Sequence, residues 1–246
     1  MERGEAKRGG FTLVELLVVI GIIAMLISIL MPALSSARAQ ANTIKCAANL
    51  RGIGQVMHMY AGDYKGNIPR DYFYDGQYRD GNIFYAEAFA RYLNKGYVDR
   101  TNGNVGSSRD TALVSELAKI PLYQCPVFPN EQQVVCYVSN GFPIRRGNSG
   151  RAEPLINITK IKHGSQFVYL IDGNAGLQTN YFGNHDLWVP GHLPFDPPTS
   201  RVVNPNARII TDERHRGMAN ILAVDASVNG KRWRDIKERD FRIIGS

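Results

Sequence analysis

His215 and Asp225 stand ten residues apart, and a histidine with a carboxylate can act as base and orienter in nucleophilic catalysis. No Gly-x-Ser-x-Gly elbow or other partnered nucleophile accompanies them, so the residues point away from an enzyme. His185 and His192, with Asp186 and Asp196, offer imidazole and carboxylate ligands, but at a spacing that fits no strong metal signature. Cys46, Cys125 and Cys136 supply three thiols. A lone carboxylate, Glu15, is the one charge between Phe11 and Leu34, and it sits where an acid is hardest to place.

The elements that must position these groups begin with that apolar run. As a helix it would be roughly 36 Å long, enough to cross the hydrocarbon core of a bilayer. Arg3, Lys7 and Arg8 precede it, a bias that keeps the N-terminal end in the cytoplasm and sends the remainder across. A secretory signal peptide cut near Ala37-Arg38-Ala39 is one reading, but its apolar core would be shorter. A plain anchor fits the length, yet leaves Glu15 costing about 2.5 to 3.5 kcal/mol if it reached mid-membrane.

The sequence Gly9-Gly10-Phe11-Thr12-Leu13-Val14-Glu15 resembles the class III signal of type IV pilins and type II secretion pseudopilins. The resemblance implies cleavage between Gly10 and Phe11 by a membrane prepilin peptidase, with N-methylation of Phe11. Glu15 then becomes the fifth residue of the mature chain and Pro32 the twenty-second, both typical of the family. It further implies that Glu15 pairs during assembly with the free α-amine of Phe11 on a neighbouring subunit. The partners implied are the peptidase, other pilin or pseudopilin subunits and an inner-membrane assembly platform. Major pseudopilins suggest calcium as the metal if a structural one is bound; otherwise no cofactor is expected.

After Pro32 no strong breaker occurs before Gly62, which predicts one long spine helix with a bend at the proline. Leu34, Ala37, Ala41, Ile44 and Ala48 form one stripe; Cys46, Leu50, Ile53, Met57 and Tyr60 form another on nearly the opposite side. The small-residue stripe suits packing between subunits, and the bulkier one suits cover by the chain's own domain. The expected organisation is a leader at 1–10, a transmembrane part at 11–34, the soluble spine at 35–62 and a periplasmic globular domain at 63–246. The stretch 47–69, ending in Tyr, Asp, Gly and Pro, looks like the place where pseudopilin helices stop.

The globular part reads as α+β with a small antiparallel sheet. Helices are expected at 83–93 and 110–119, and strands at 133–138, 166–171, 208–211 and 220–224, with 183–206 irregular. The formal charge of +7 is scattered apart from Arg145, Arg146 and Arg151 and a mixed tail at 231–242. It accompanies no nucleic-acid-binding motif, so a solvated basic surface is expected.

The run from His215 to Ala226 resembles the H-X9-DG motif of a planctomycete-like branch of prepilin-type proteins. That branch also has Cys-x-x-Asn-Leu, here Cys46 to Leu50, a Cys-Pro, here Cys125-Pro126, and Tyr-x-x-Asn-Gly, here Tyr137 to Gly141. The match departs at Ala226, where the motif has glycine. Either the Asp225-Ala226 turn persists under strain or the reversal moves to Asn229-Gly230. His215 and Asp225 are expected to bond backbone around this hairpin.

Spacing alone would pair Cys125 with Cys136. The stripe position of Cys46 and the family's Cys-Pro instead favour a disulfide between Cys46 and Cys125. The function implied is a structural subunit of a type II-like pseudopilus or a type IV-like pilus. The alternative is a membrane-tethered binding protein, for polysaccharide for example, using Tyr72, Tyr74, Tyr78, Tyr85 and Trp188.

Overall fold

The structure is a computed structural model that describes residues 12–69, 85–94, 115–128, 133–141, 155–174, 186–187, 193–195, 201–210 and 214–241. It has two compact units, Met1–Ala41 and Asn42–Ser246. Helix α1 spans Leu13–Asp63, has Pro32 in its interior, and is long and apolar enough to cross a membrane. Its large apolar side chains from Leu13 to Leu34 are all exposed.

In the second unit α1 shows the two faces expected of it. Cys46, Leu50, Ile53 and Met57 are fully buried and Tyr60 nearly so, while Ile44 and Ala48 are exposed. Burying side chains of this size contributes on the order of 1.5 to 3 kcal/mol each, so this stripe is the domain's main hold on the helix. Helix α1 ends where Lys65 and Gly66 take left-handed backbone (φ 56 and 82). The chain then enters β1, Asn67–Pro69, which pairs antiparallel with β3, Leu155–Asn157.

Helix α2, Tyr85–Leu93, buries Tyr85 and Phe89 against this core. A five-stranded sheet has the order β5-β2-β4-β6-β7, from β2 (Tyr137–Asn140), β4 (Val168–Asp172), β5 (Asp186–Leu187), β6 (Met218–Ala223) and β7 (Val228–Arg232). All its pairings are antiparallel except β2 with β5. Leu50, Ile53 and Met57 share one core with Tyr137, Tyr169, Leu170 and Leu222. A second core lies around Trp233, Ile171 and Phe241. The fold is α+β: a long N-terminal helix followed by a mainly antiparallel sheet.

Several boundaries differ from the sequence reading. Gln133 to Cys136 is irregular although buried, and β2 starts only at Tyr137. Ile209 contributes a single bridge to Gly173 rather than a strand. Strand β5 falls inside the stretch expected to be irregular. The helix expected at 110–119 is described only from residue 115, where it shows a helical turn at 115–117.

The terminal hairpin keeps its reversal at Asp225-Ala226, and Asn229-Gly230 lies inside β7. Ala226 has φ 65, Ala226 N–H donates to Ala223 O at 3.0 Å, and Asp225 accepts from Ser227 N and Oγ at 2.9 and 2.6 Å. This turn packs on the spine at Gly54, where an added Cβ would stand 3.0 Å from the Ala226 Cβ and 2.9 Å from Leu222 Cδ1. Ala226→Gly is therefore expected to raise unfolding free energy by about 1 kcal/mol. Gly54→Ala should lower it by about 1 to 3 kcal/mol, and the pair should couple favourably rather than add. Denaturant titration of the full chain in detergent checks all three.

Candidate functional site

Four side chains from distant parts of the sequence converge where the spine meets the sheet: Cys46 on α1, Cys125 after a 3-10 turn at Pro121–Tyr123, Asp172 at the end of β4, and His215 just before β6. All four are buried. The Cys46 and Cys125 sulfurs are 2.8 Å apart, Cys125 Sγ lies 3.5 Å from His215 Nε2, and His215 Nε2 lies 3.6 Å from Asp172 Oδ2. The three cysteine sulfurs are unbonded in this structure, and Cys136 packs in the same cluster.

Local backbone explains each placement. Asn49, one turn along α1 from Cys46, donates from Nδ2 to Gln124 O at 2.9 Å and Pro121 O at 3.5 Å. It thus pins the loop that carries Cys125 to the helix. Gly52 leaves room for that loop, since a Cβ there would stand 2.5 Å from Leu122 Cδ2. Asp172 Oδ2 accepts from Asn220 N and Nδ2 at 2.7 and 2.9 Å, which orients it toward the cluster.

His215 and Arg216 are both in the left-handed region (φ 52 and 60), ahead of Gly217 (φ 73). Two such non-glycine residues cost about 1 to 2 kcal/mol each, and persist only where the surroundings fix them. Arg214 donates from Nη2 to Gly173 O at 2.7 Å and lies over the Phe128 ring, holding one end of this turn.

The electrostatics follow from burial and mutual contact. The bond from Cys46 and the neighbouring His215 hold the Cys125 thiol down, to about 5, against the opposing effect of burial. Cys46, as the donor of that bond, is pushed up. Burial pushes the Cys136 thiol up to about 12 and the Asp172 carboxyl up to about 6. For His215 burial disfavours the charged ring, but the bond to Cys125 and the charge of Asp172 outweigh it and raise the imidazole. Asp172 Oδ1 and His215 Nδ1 are buried without a hydrogen-bond partner among the described residues. Cys46, Cys125 and His215 are also close enough to offer a soft metal ion two sulfurs and a nitrogen.

The structure thus brings Cys46, Cys125 and His215 together and leaves Asp225 at the hairpin tip. His215 does not bond backbone around the hairpin as expected; its ring turns to the cysteines and Asp172. Asp172 was missed, although an acid closing an apolar strand run, Val168 to Asp172, was a visible signal. Tyr85, one of the aromatics of the binding alternative, is buried with its hydroxyl donating to Tyr137 O at 2.9 Å. Tyr72, Tyr74, Tyr78, Trp188, His185, His192, Asp196, Arg145, Arg146 and Arg151 lie outside the described residues.

At the other end of the chain, Gly10 and Phe11 also lie outside the described residues. Glu15 has a local partner that the sequence reading overlooked. Its Oε2 accepts from Thr12 N and Oγ1, both at 2.8 Å, and Glu15 N donates back to Thr12 Oγ1 at 3.2 Å. This reciprocal Thr-x-x-Glu capping box opens α1 and satisfies two of its free N–H groups.

The family model for the prokaryotic N-terminal methylation motif matches residues 6–31. The chain carries a prepilin-type signal, the mark of a pilin- or pseudopilin-like precursor. No curated protein and no solved structure matches the chain.

Asp172 gives the site a defined pH response. Its carboxyl is raised from 3.8 to about 6 by burial, so the folded state binds its proton more tightly than the unfolded chain. The stability this contributes is present at low pH and is lost as pH rises through about 6. Wild type should therefore lose up to about 3 kcal/mol relative to Asp172→Asn between about pH 4 and 6, read from denaturant midpoints at each pH.

Proposed function

We propose that the chain is a structural, non-enzymatic subunit of a type II-like secretion pseudopilus or a type IV-like pilus. Residues 1–10 are its leader, 11–34 its membrane-spanning part, 35–62 the soluble spine and 63–246 the periplasmic domain. Prepilin peptidase cuts between Gly10 and Phe11 and methylates Phe11. The subunit waits in the inner membrane with its N-terminus cytoplasmic, and an assembly platform then draws it into a filament with other subunits.

The observation that carries this reading is the methylation motif at 6–31 heading a helix with one stripe buried by its own domain and another left exposed. The exposed stripe supports packing between spine helices. Thr12 and Glu15 close the capping box on one chain, and after cleavage the same carboxylate pairs with the α-amine of Phe11 on a neighbouring subunit.

N-terminal sequencing of the membrane-extracted protein tests the reading. A methylated phenylalanine at Phe11 is expected; a chain that keeps Met1 or starts at Gln40 contradicts it. Glu15 can be examined by two substitutions. Glu15→Gln keeps an acceptor for Thr12 but no charge, so it should be cleaved normally and fail to form filaments, as should Glu15→Ala. Filaments from the glutamine variant alone would assign Glu15 to helix capping rather than to charge pairing.

A further inference from the structure

We propose that Cys46 and Cys125 are joined by a disulfide in the mature protein, formed with the help of His215 as a positioning base and latching the domain's Pro121–Cys125 loop to the spine. The inference deepens the functional reading and rests on it for one premise, that residues beyond the membrane helix face an oxidising compartment. The remaining premises are geometric.

At 2.8 Å the two sulfurs are nearer than unbonded sulfur atoms rest. A zinc ion held by both would set them about 3.8 Å apart, from zinc–sulfur bonds of about 2.3 Å at a tetrahedral angle. Closing the pair into a bond needs a smaller rearrangement. Asn49 fixes the loop one turn from Cys46, so the approach of the sulfurs is enforced by a separate contact. The strained backbone at His215 and Arg216 delivers Nε2 to 3.5 Å from Cys125 Sγ.

The step balances as an ordinary thiol–disulfide exchange. Cys125 gives its proton to His215 Nε2, and Asp172 steadies the imidazolium. The thiolate attacks one sulfur of an external disulfide, that of an oxidised dithiol oxidoreductase or a small-molecule disulfide, and the other sulfur of that disulfide leaves as a thiolate. Cys46, losing its proton, then attacks Cys125 Sγ; the mixed disulfide breaks and the second external thiolate departs. Two protons and two electrons leave the cysteine pair, and the external disulfide becomes a dithiol. Cys136 stays reduced, because among the described residues it lacks the imidazole contact that Cys125 has, and burial keeps its thiol protonated.

The test uses the full chain extracted in detergent, alkylated while denatured without reductant and cut at lysine, arginine and glutamate. Glu131 lies between Cys125 and Cys136, so residues 46–51 should appear linked to residues 120–131, with Cys136 alkylated. A chain that begins at Phe11 with three alkylated cysteines overturns the disulfide alone; free thiols on a chain that begins at Met1 overturn the functional reading as well. A link to Cys136, or one zinc ion per chain with all thiols free, also overturns it.

The role of His215 has its own readout, the rate at which reduced, folded protein closes the bond in oxidised glutathione. Wild type should vary by less than about twofold between roughly pH 6 and 8, and His215→Gln should rise about tenfold per pH unit. A wild-type rate that climbs with pH removes His215 from the step, and this holds even if the variant does not fold.

Discussion

Burial of one stripe of α1 by the domain, with the opposite stripe left in solvent, is the constraint that orders the rest of the chain. Leu50, Ile53 and Met57 are wholly enclosed while Ile44 and Ala48, on the far side of the same turns, are open. A helix in that position cannot be covered from both sides by its own domain. The sheet must lie on one flank, close enough for the hairpin tip at Ala226 to touch Gly54 and for Leu122 to reach over Gly52. Glycine at those two positions sets how near the domain can come.

The thiol, imidazole and carboxylate cluster is a consequence of the same contact. Cys46 is the first residue of the buried stripe, so whatever faces it is also the first point at which the domain grips the spine. Three separated segments meet there, and each is held by its own device: Asn49 for the Cys125 loop, Asn220 for Asp172, and a left-handed turn for His215. Concentrating strain and buried charge at one place is costly. It is accounted for if that place fastens the domain to its helix.

Much of this was legible in the residues. The two stripes were readable because helical periodicity survives any tertiary context, and the α+β class followed from apolar alternation and turn residues after Gly66. The exact strands were not: β1, β3 and β5 are two or three residues long, too short to show a period, and they exist because a partner strand is there. The closeness of Cys46 to Cys125 was legible as a preference, but Asp172 was hidden because its partners are far away in sequence. His215 was recognised and given the wrong neighbours, since three consecutive left-handed residues turn its ring away from the hairpin. The capping role of Glu15 is written in Thr-x-x-Glu, but a lone acid in an apolar run reads first as a charge in need of a partner.

The claim on which the account turns is that the exposed stripe of α1 meets other copies of the chain. Cysteine placed at Ala48, with Arg239→Cys as an exposed control on the domain, allows cross-linking in cells that process the precursor. A cross-linked dimer, the most that one thiol per chain can form, is expected from Ala48→Cys and monomer from the control. Monomer from both, in cells where the chain is cleaved, would contradict it.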